Sequence, residues 1–245
     1  MKKSIKITLC LVSVFTIIFT IMPVFLLKPN TTISATDFYV GGDLSSIIEV
    51  EENGGIFYDD AGNEKNVFKI LKENGINSIR IRIWNDPVDE TGVSYANGHN
   101  DLATAIQIGK RASDLGMRVL IDFHYSDYWA DPSSQTVPKD WENLTFSEKE
   151  QALYKYTKDS LQTLLDNGVN VTMVQVGNET TSGLAGETDW SKITALMSQG
   201  SKAVREVALE YDREILVAMH FTGYEHYDWY ASQLQQYEVD YDVFA

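Results

Sequence analysis

From residue 38 onward, short runs rich in β-branched residues alternate with longer segments of helical period. That alternation restricts the chain to a parallel sheet with helical crossovers. The strand-like runs are FYVGGD (38–43), SIRIRIW (78–84), RVLIDFH (118–124), VTMVQV (171–176), EILVAMHF (214–221) and YDVFA (241–245). The first helical segment sets Val67, Phe68 and Leu71 on one side and stops at Gly75. The second starts near Asn100, turns Leu102, Ala105 and Ile106 inward and stops at Gly116. A third is predicted to open with a capping box, Ser147 to Glu150, to carry Leu153, Tyr156, Leu161 and Leu164, and to end at Gly168. A fourth follows Asp189, with Ile193, Leu196, Met197, Val204 and Val207 inward.

Two folds are built this way, the open doubly wound sheet and the closed (β/α)8 TIM barrel. The first run leads into GGDLSS, which is neither G-x-G-x-x-G nor a P-loop. Polar and aromatic residues crowd the carboxyl ends of successive runs instead: Asp43, Trp84 with Asn85, His124, Asn178 with Glu179, and His220. In a barrel, that rim is where chemistry is built. The expected fold is therefore α/β, a (β/α)8 barrel. Six runs stand where eight strands are needed, so the expectation is a barrel truncated after strand six.

Ahead of this pattern, Lys2, Lys3 and Lys6 precede an apolar run from Ile7 to Leu27, and small polar residues follow. That layout predicts a signal peptide over residues 1–35, cleaved after Ala35, with a retained membrane anchor as the alternative. Residues 36–245 are then the barrel part of a secreted protein, extracellular or associated with the cell surface, and not in stable membrane contact once cleaved. Cys10, the single cysteine, falls in the leader, so the exported part is held by packing rather than disulfides. Removing the four leader lysines from the 20 basic residues leaves 16 against 35 acidic ones, a formal charge of about −19. A surface so negative repels phosphate backbones and excludes nucleic acid as a partner.

Glu179 ends an apolar run, and a carboxylate there is costly to bury unless something pairs or uses it. Glycosidases use two carboxyl groups across the scissile bond, one of them protonated to help the leaving oxygen depart. Burial at a strand end raises a carboxyl pKa toward that task. The bland alternative is a turn asparagine, Asn178, followed by a solvated charge.

In SIRIRIW, alternation puts Arg80 and Arg82 on one face, where they require anionic partners. Arg82 is nearer the rim and is the candidate for a catalytic carboxylate's neighbour; Arg80, deeper, reads as a structural ion pair. DFHYSDYWADP (122–132) sets Asp122 and His124 at a strand end, followed by Tyr125, Tyr128 and Trp129. Aromatic faces with carboxylate and imidazole partners for hydroxyls are the chemistry of a saccharide cleft. Trp129 and Trp141 serve equally well as packing that covers the barrel end. His124 and His220 with Asp122 suggest a second class, a metal-dependent barrel hydrolase, although no H-x-H or H-E-x-x-H pattern supports it. A third is a carbohydrate-binding barrel that never turns over.

GGDLSS (41–46), IRIWNDP (81–87), DFHYSDYWADP with Gln135, Pro138 and Trp141, and VQVGNET with Gly183 together resemble glycoside hydrolase family 53, the arabinogalactan endo-β-1,4-galactanases. Beyond strand four the resemblance thins to His220 and Gly223. It implies a monomeric enzyme cutting internal β-1,4-galactosidic bonds of the galactan or arabinogalactan of pectin side chains, with retention. Residue by residue it implies Glu179 as proton donor, Asn178 as the sugar-binding residue beside it, and Arg82 as the arginine near the nucleophile. Trp84, Asp122, His124, Tyr125, Trp129 and His220 fall in substrate-lining positions. The resemblance implies no cofactor for these residues; bacterial relatives can carry a structural calcium in later loops. It also implies a nucleophilic glutamate after a seventh strand, so that residues 36–245 alone are expected to be inactive.

Overall fold

Every strand pairs in parallel with the strand that precedes it in sequence, so the strand order is simply consecutive. A doubly wound sheet reverses its order at a switch point, whereas a barrel does not. The elements run β1 (Gly41–Asp43), α1 (Ile47–Glu52), α2 (Val67–Glu73), β2 (Ser78–Ile83), α3 (Leu102–Ser113), β3 (Arg118–Phe123), α4 (Phe146–Asp166), β4 (Val171–Val176), α5 (Trp190–Glu210), β5 (Leu216–Met219), α6 (Tyr227–Gln236) and β6 (Val243–Phe244). The computed structural model describes residues 38–89 and 91–245; the leader expected over residues 1–35, with Cys10, lies outside them. Within the unit Tyr39–Ala245 the sheet curls through 191° without closing, its edges 16 Å apart. This is the expected barrel architecture carried as far as its sixth strand. No helix among the described residues is long and apolar enough to cross a membrane.

Alternation along each strand sorts the side chains. Ile79, Ile81 and Ile83 of β2 and Val119, Ile121 and Phe123 of β3 are fully buried in one core with Phe68, Ile108, Leu153, Leu161 and Leu164 from the helices. Arg80, Arg82 and Asp122, on the opposite phase, face inward. In β4 the phase is broken once. Val119 pairs with Val171 but Leu120 pairs with Met173, so Thr172 is an extra residue in the ladder. The shift places Gln175, rather than Val174, beside Asp122.

The strands are shorter than the apolar runs. Trp84, His124 and His220 lie just past their ladders and so belong to the rim. Two details of the helices differ from the sequence reading. The box that opens α4 is Thr145 with Glu148, not Ser147 with Glu150: Thr145 N–H donates to Glu148 Oε2 at 2.8 Å and Glu148 N–H to Thr145 Oγ1 at 3.4 Å. Both pairs have the required spacing, and the earlier one wins because it lets Phe146 pack on the core as the first helical residue. The short α1 also went unread, since it buries only Ile47 and so shows no periodicity.

Candidate active site

Asp122 has no solvent exposure and is the anion around which the inner face is organised. Arg80 Nη2 donates to its Oδ2 at 2.6 Å and Gln175 Nε2 to its Oδ1 at 2.7 Å. His124 Nε2 stands 2.9 Å from Oδ2. Burial pushes the Asp122 pKa up, but the His124 ring and the Arg80 guanidinium outweigh it and hold the carboxyl below the ordinary aspartate range. His124 Nδ1 accepts N–H groups from Trp84 Nε1 at 3.2 Å and from Ala130 at 3.1 Å. The ring proton therefore sits on Nε2, close to Asp122 but not aligned for a hydrogen bond to it. Arg80 reaches further than its depth on β2 suggests, bonding Asp43 Oδ2 at 2.7 Å and Asn178 Oδ1 at 2.8 Å.

β4 ends at Val176, and the chain turns sharply through Gly177, φ +86°, to Asn178 and Glu179. Asn178 is buried; its Oδ1 accepts from Arg80 and, at 3.2 Å, from Gln175, while its Nδ2 donates to the Ala130 carbonyl at 2.7 Å. Glu179 itself has φ +47°, a left-handed conformation that costs a non-glycine residue about 1–3 kcal/mol. The surrounding bonds hold it there. Its N–H donates to His220 Nδ1 at 3.1 Å and its carbonyl accepts from Gln135 Nε2 at 3.2 Å and from Thr181 N–H at 2.7 Å. Thr180 is tied by both its N–H and its hydroxyl to the His220 carbonyl, each at 2.9 Å.

The Glu179 carboxyl, in contrast, is half-buried and has no hydrogen bond or ion pair to any described residue. Burial first, then the charge of Asp131, raises its pKa, and Arg80 and His124 only partly oppose them. The backbone is fixed while the acid group is left free, which suits a proton donor to a bound ligand.

Trp129 is 42% exposed, and the Arg82 guanidinium lies 4.4 Å from its ring centre. Arg82 is anchored from below by Ser46 Oγ at 2.8 Å and lies 3.6 Å from Asp43 Oδ1. Tyr128 is half exposed beside it, 5.1 Å from the ring of Trp84. Exposed rings over a polar floor offer sugar C–H faces a platform.

The structure thus gathers Arg82, Trp129, Asn178, Glu179 and His220 at one rim. Trp84, Asp122 and His124 lie beneath it with almost no exposed surface, so they support the site rather than line it. Tyr125 is a correction. Its ring is fully buried on the helix side of β3, stacked 5.7 Å from Phe123, and its hydroxyl bonds Thr157 of α4 at 2.7 Å. Alternation from Asp122 and His124 already assigns residue 125 to that outer face. Arg80, expected as a structural ion pair, is one, with Asp43 and Asp122, whereas Gln175 at the centre of the network was overlooked. A glutamine inside the apolar run VTMVQV was the available signal for it. The metal reading finds no site: among the described residues no group of three His, Cys, Asp or Glu could hold an ion, and Nδ1 of both His124 and His220 accepts N–H groups.

Consecutive parallel strands with helices outside, curled but not closed, define the class of (β/α)8-type barrels, with an Asn–Glu pair and exposed aromatics at the rim. The chain belongs to glycosyl hydrolase family 53, whose family model matches residues 39–245. It is 52% identical over 212 residues to the endo-beta-1,4-galactanase of Bacillus subtilis (strain 168), an alignment covering 85% of this chain and 48% of that protein. With the arabinogalactan endo-beta-1,4-galactanase of Cellvibrio japonicus (strain Ueda107) the identity is 35%, covering 85% and 56%. Among solved structures, the Ignisphaera aggregans GH53 catalytic domain superposes with a TM-score of 0.80 at 36% identity, covering 89% of this chain and 61% of that one. The chain spans about half the length of the curated relatives it matches.

Proposed function

We propose that the full-length protein is a secreted galactanase that cleaves internal β-1,4-galactosidic bonds of galactan or arabinogalactan with retention, and that Glu179 is its acid/base. The observation that carries the reading is the unpaired carboxyl of Glu179, its pKa raised by burial and by Asp131, at the end of β4. The substrate class rests on the names of the relatives at 52% and 35% identity. In the first step Glu179 gives its proton to the glycosidic oxygen, so that the departing galactose leaves as a neutral alcohol. A second carboxylate, about 5–5.5 Å from Glu179 and supplied by a seventh strand, attacks the anomeric carbon and forms the glycosyl intermediate. Glu179, now ionised, takes a proton from water, and that water releases the sugar with its configuration retained. Asn178 and His220 reach hydroxyls of the bound sugar, Trp129 stacks on it, and Arg82 keeps the second carboxylate ionised.

The test is incubation of the full-length protein with purified galactan in excess chelator, with products resolved by length. Internal cleavage with the β configuration retained supports the reading. Saccharide binding without hydrolysis would make this a binding barrel, and hydrolysis abolished by chelator would make it a metal-dependent enzyme.

A further inference from the structure

We infer that Gln175 is the positioning residue that fixes Asn178 beside Glu179, an inference that rests on the galactan-hydrolase reading. Gln175 is 4% exposed on the inner face of β4, level with Asp122 because Thr172 shifts the register. Both ends of its amide are used. Nε2 shares its two hydrogens among Asp122 Oδ1 at 2.7 Å, the Gly177 carbonyl at 2.9 Å and Asn178 Oδ1 at 3.2 Å, and Oε1 accepts from Arg80 Nε at 3.3 Å.

A neutral amide is the side chain that suits this place. It turns its carbonyl to a cation and its N–H groups to an anion, and so it orders Arg80 against Asp122 without adding charge. A glutamate would set a second carboxylate 2.7 Å from Asp122 in a buried site, where the two cannot both stay ionised. A methionine would keep the shape and lose both functions.

The consequence falls on Asn178. Its Oδ1 lies between Arg80 Nη2 at 2.8 Å and Gln175 Nε2 at 3.2 Å, both donors, while its Nδ2 has the Ala130 carbonyl at 2.7 Å. A flipped amide would oppose donor to donor twice and acceptor to acceptor once, and would gain only the contact with His220 Nδ1, an acceptor 3.1 Å from Oδ1. Asn178 is therefore held in one orientation, with one N–H committed to Ala130 and the other left to donate to an oxygen of the substrate. Gln175 contributes to this directly at Oδ1 and indirectly by holding Arg80. It acts through Asn178 and not on the sugar.

The experiment is a double-mutant cycle in the full-length protein: wild type, Gln175→Met, Asn178→Ala and the pair, with kcat and KM measured on galactan. Gln175→Met should lower kcat by about a hundredfold, the scale of a misplaced reactive geometry, and change KM by less than about threefold. In the Asn178→Ala background the same substitution should cost no more than about threefold. Equal losses in both backgrounds would overturn the inference. Should Gln175→Met fail to fold, Gln175→Glu provides the second readout: activity should survive only toward acid pH, where a shared proton neutralises one carboxyl, and an unmoved pH profile would overturn the inference. Should the wild type bind galactotetraose without cleaving it, the hydrolase reading fails and the cycle is read in affinity, where coupling sustains the positioning role and additivity removes it. A wild type that neither cleaves nor binds removes both.

Discussion

A single nitrogen, Arg80 Nη2, donates both to Asp122 Oδ2 at 2.6 Å and to Asn178 Oδ1 at 2.8 Å. It joins a fully buried carboxylate to the residue that precedes Glu179, so the placement of the rim depends on charge pairing one layer below it. Arg80 also bonds Asp43, which ties β1 to the same network.

Glu179→Gln keeps the size of the side chain and removes its proton transfer. Hydrolysis of galactan by the full-length protein should fall by about 10²–10⁴-fold, while an aryl galactoside with a good leaving group should lose far less in its glycosylation step. Steady-state and burst kinetics on the two substrates check this. Equal losses on both would assign Glu179 another role.

The raised pKa of Glu179 has a sign that can be tested. In the proposed role the carboxyl must be protonated to expel a sugar, and burial together with Asp131 raises its pKa above the ordinary glutamate value of 4.5. Activity should therefore persist as pH rises past that value and decline as pH passes through the raised pKa. Asp131→Asn preserves the oxygen that accepts from Ser133 and Ser134 but removes the charge, and it should move that decline to lower pH. The pH profile of kcat/KM is the measurement; a profile that does not move rejects the Asp131 contribution.

Asp122→Ala should destabilise the protein by about 1–3 kcal/mol, because Arg80 and Gln175 lose a buried acceptor while Arg80 keeps its pair with Asp43. The folded-state pKa of Asp122 lies below its ordinary 3.8, so its contribution is complete above that value and is lost as pH falls through the lower folded one. Urea unfolding of both proteins should give a constant difference near neutrality that shrinks only below about pH 4.

Trp129→Ala should raise KM by about tenfold and leave kcat nearly unchanged, as expected of a ring that stacks equally on ground and transition states. Melting temperature measured in parallel distinguishes packing: an unchanged KM with a collapsed melting temperature would place Trp129 in the core rather than in the cleft.

The fold was legible because its signals are periodic. Alternation in SIRIRIW and RVLIDFH gives the two faces of β2 and β3, and apolar residues at helical spacing give α3, α4 and α5. The placement of Asn178 and Glu179 just past β4, and of Trp129 in the loop after β3, was legible because loops follow those strands at the rim. Arg80 was read as a structural ion pair, as it is, but its bond to Asn178 was not legible because sequence fixes the height of a Cα, not the reach of a guanidinium. Gln175 depended on the extra residue at Thr172, which leaves no mark in the hydrophobic pattern. Tyr125 was misplaced although the period already put it on the helix side.

The left-handed backbone at Glu179 also bears on how such a protein can change over time. Asparagine or glycine would adopt φ +47° more readily, so either would relieve strain that His220, Gln135 and Thr181 now hold in place. Selection for thermal robustness alone would favour either replacement at this position. If the carboxyl has its proposed role, stability libraries screened without a substrate should be enriched in its loss.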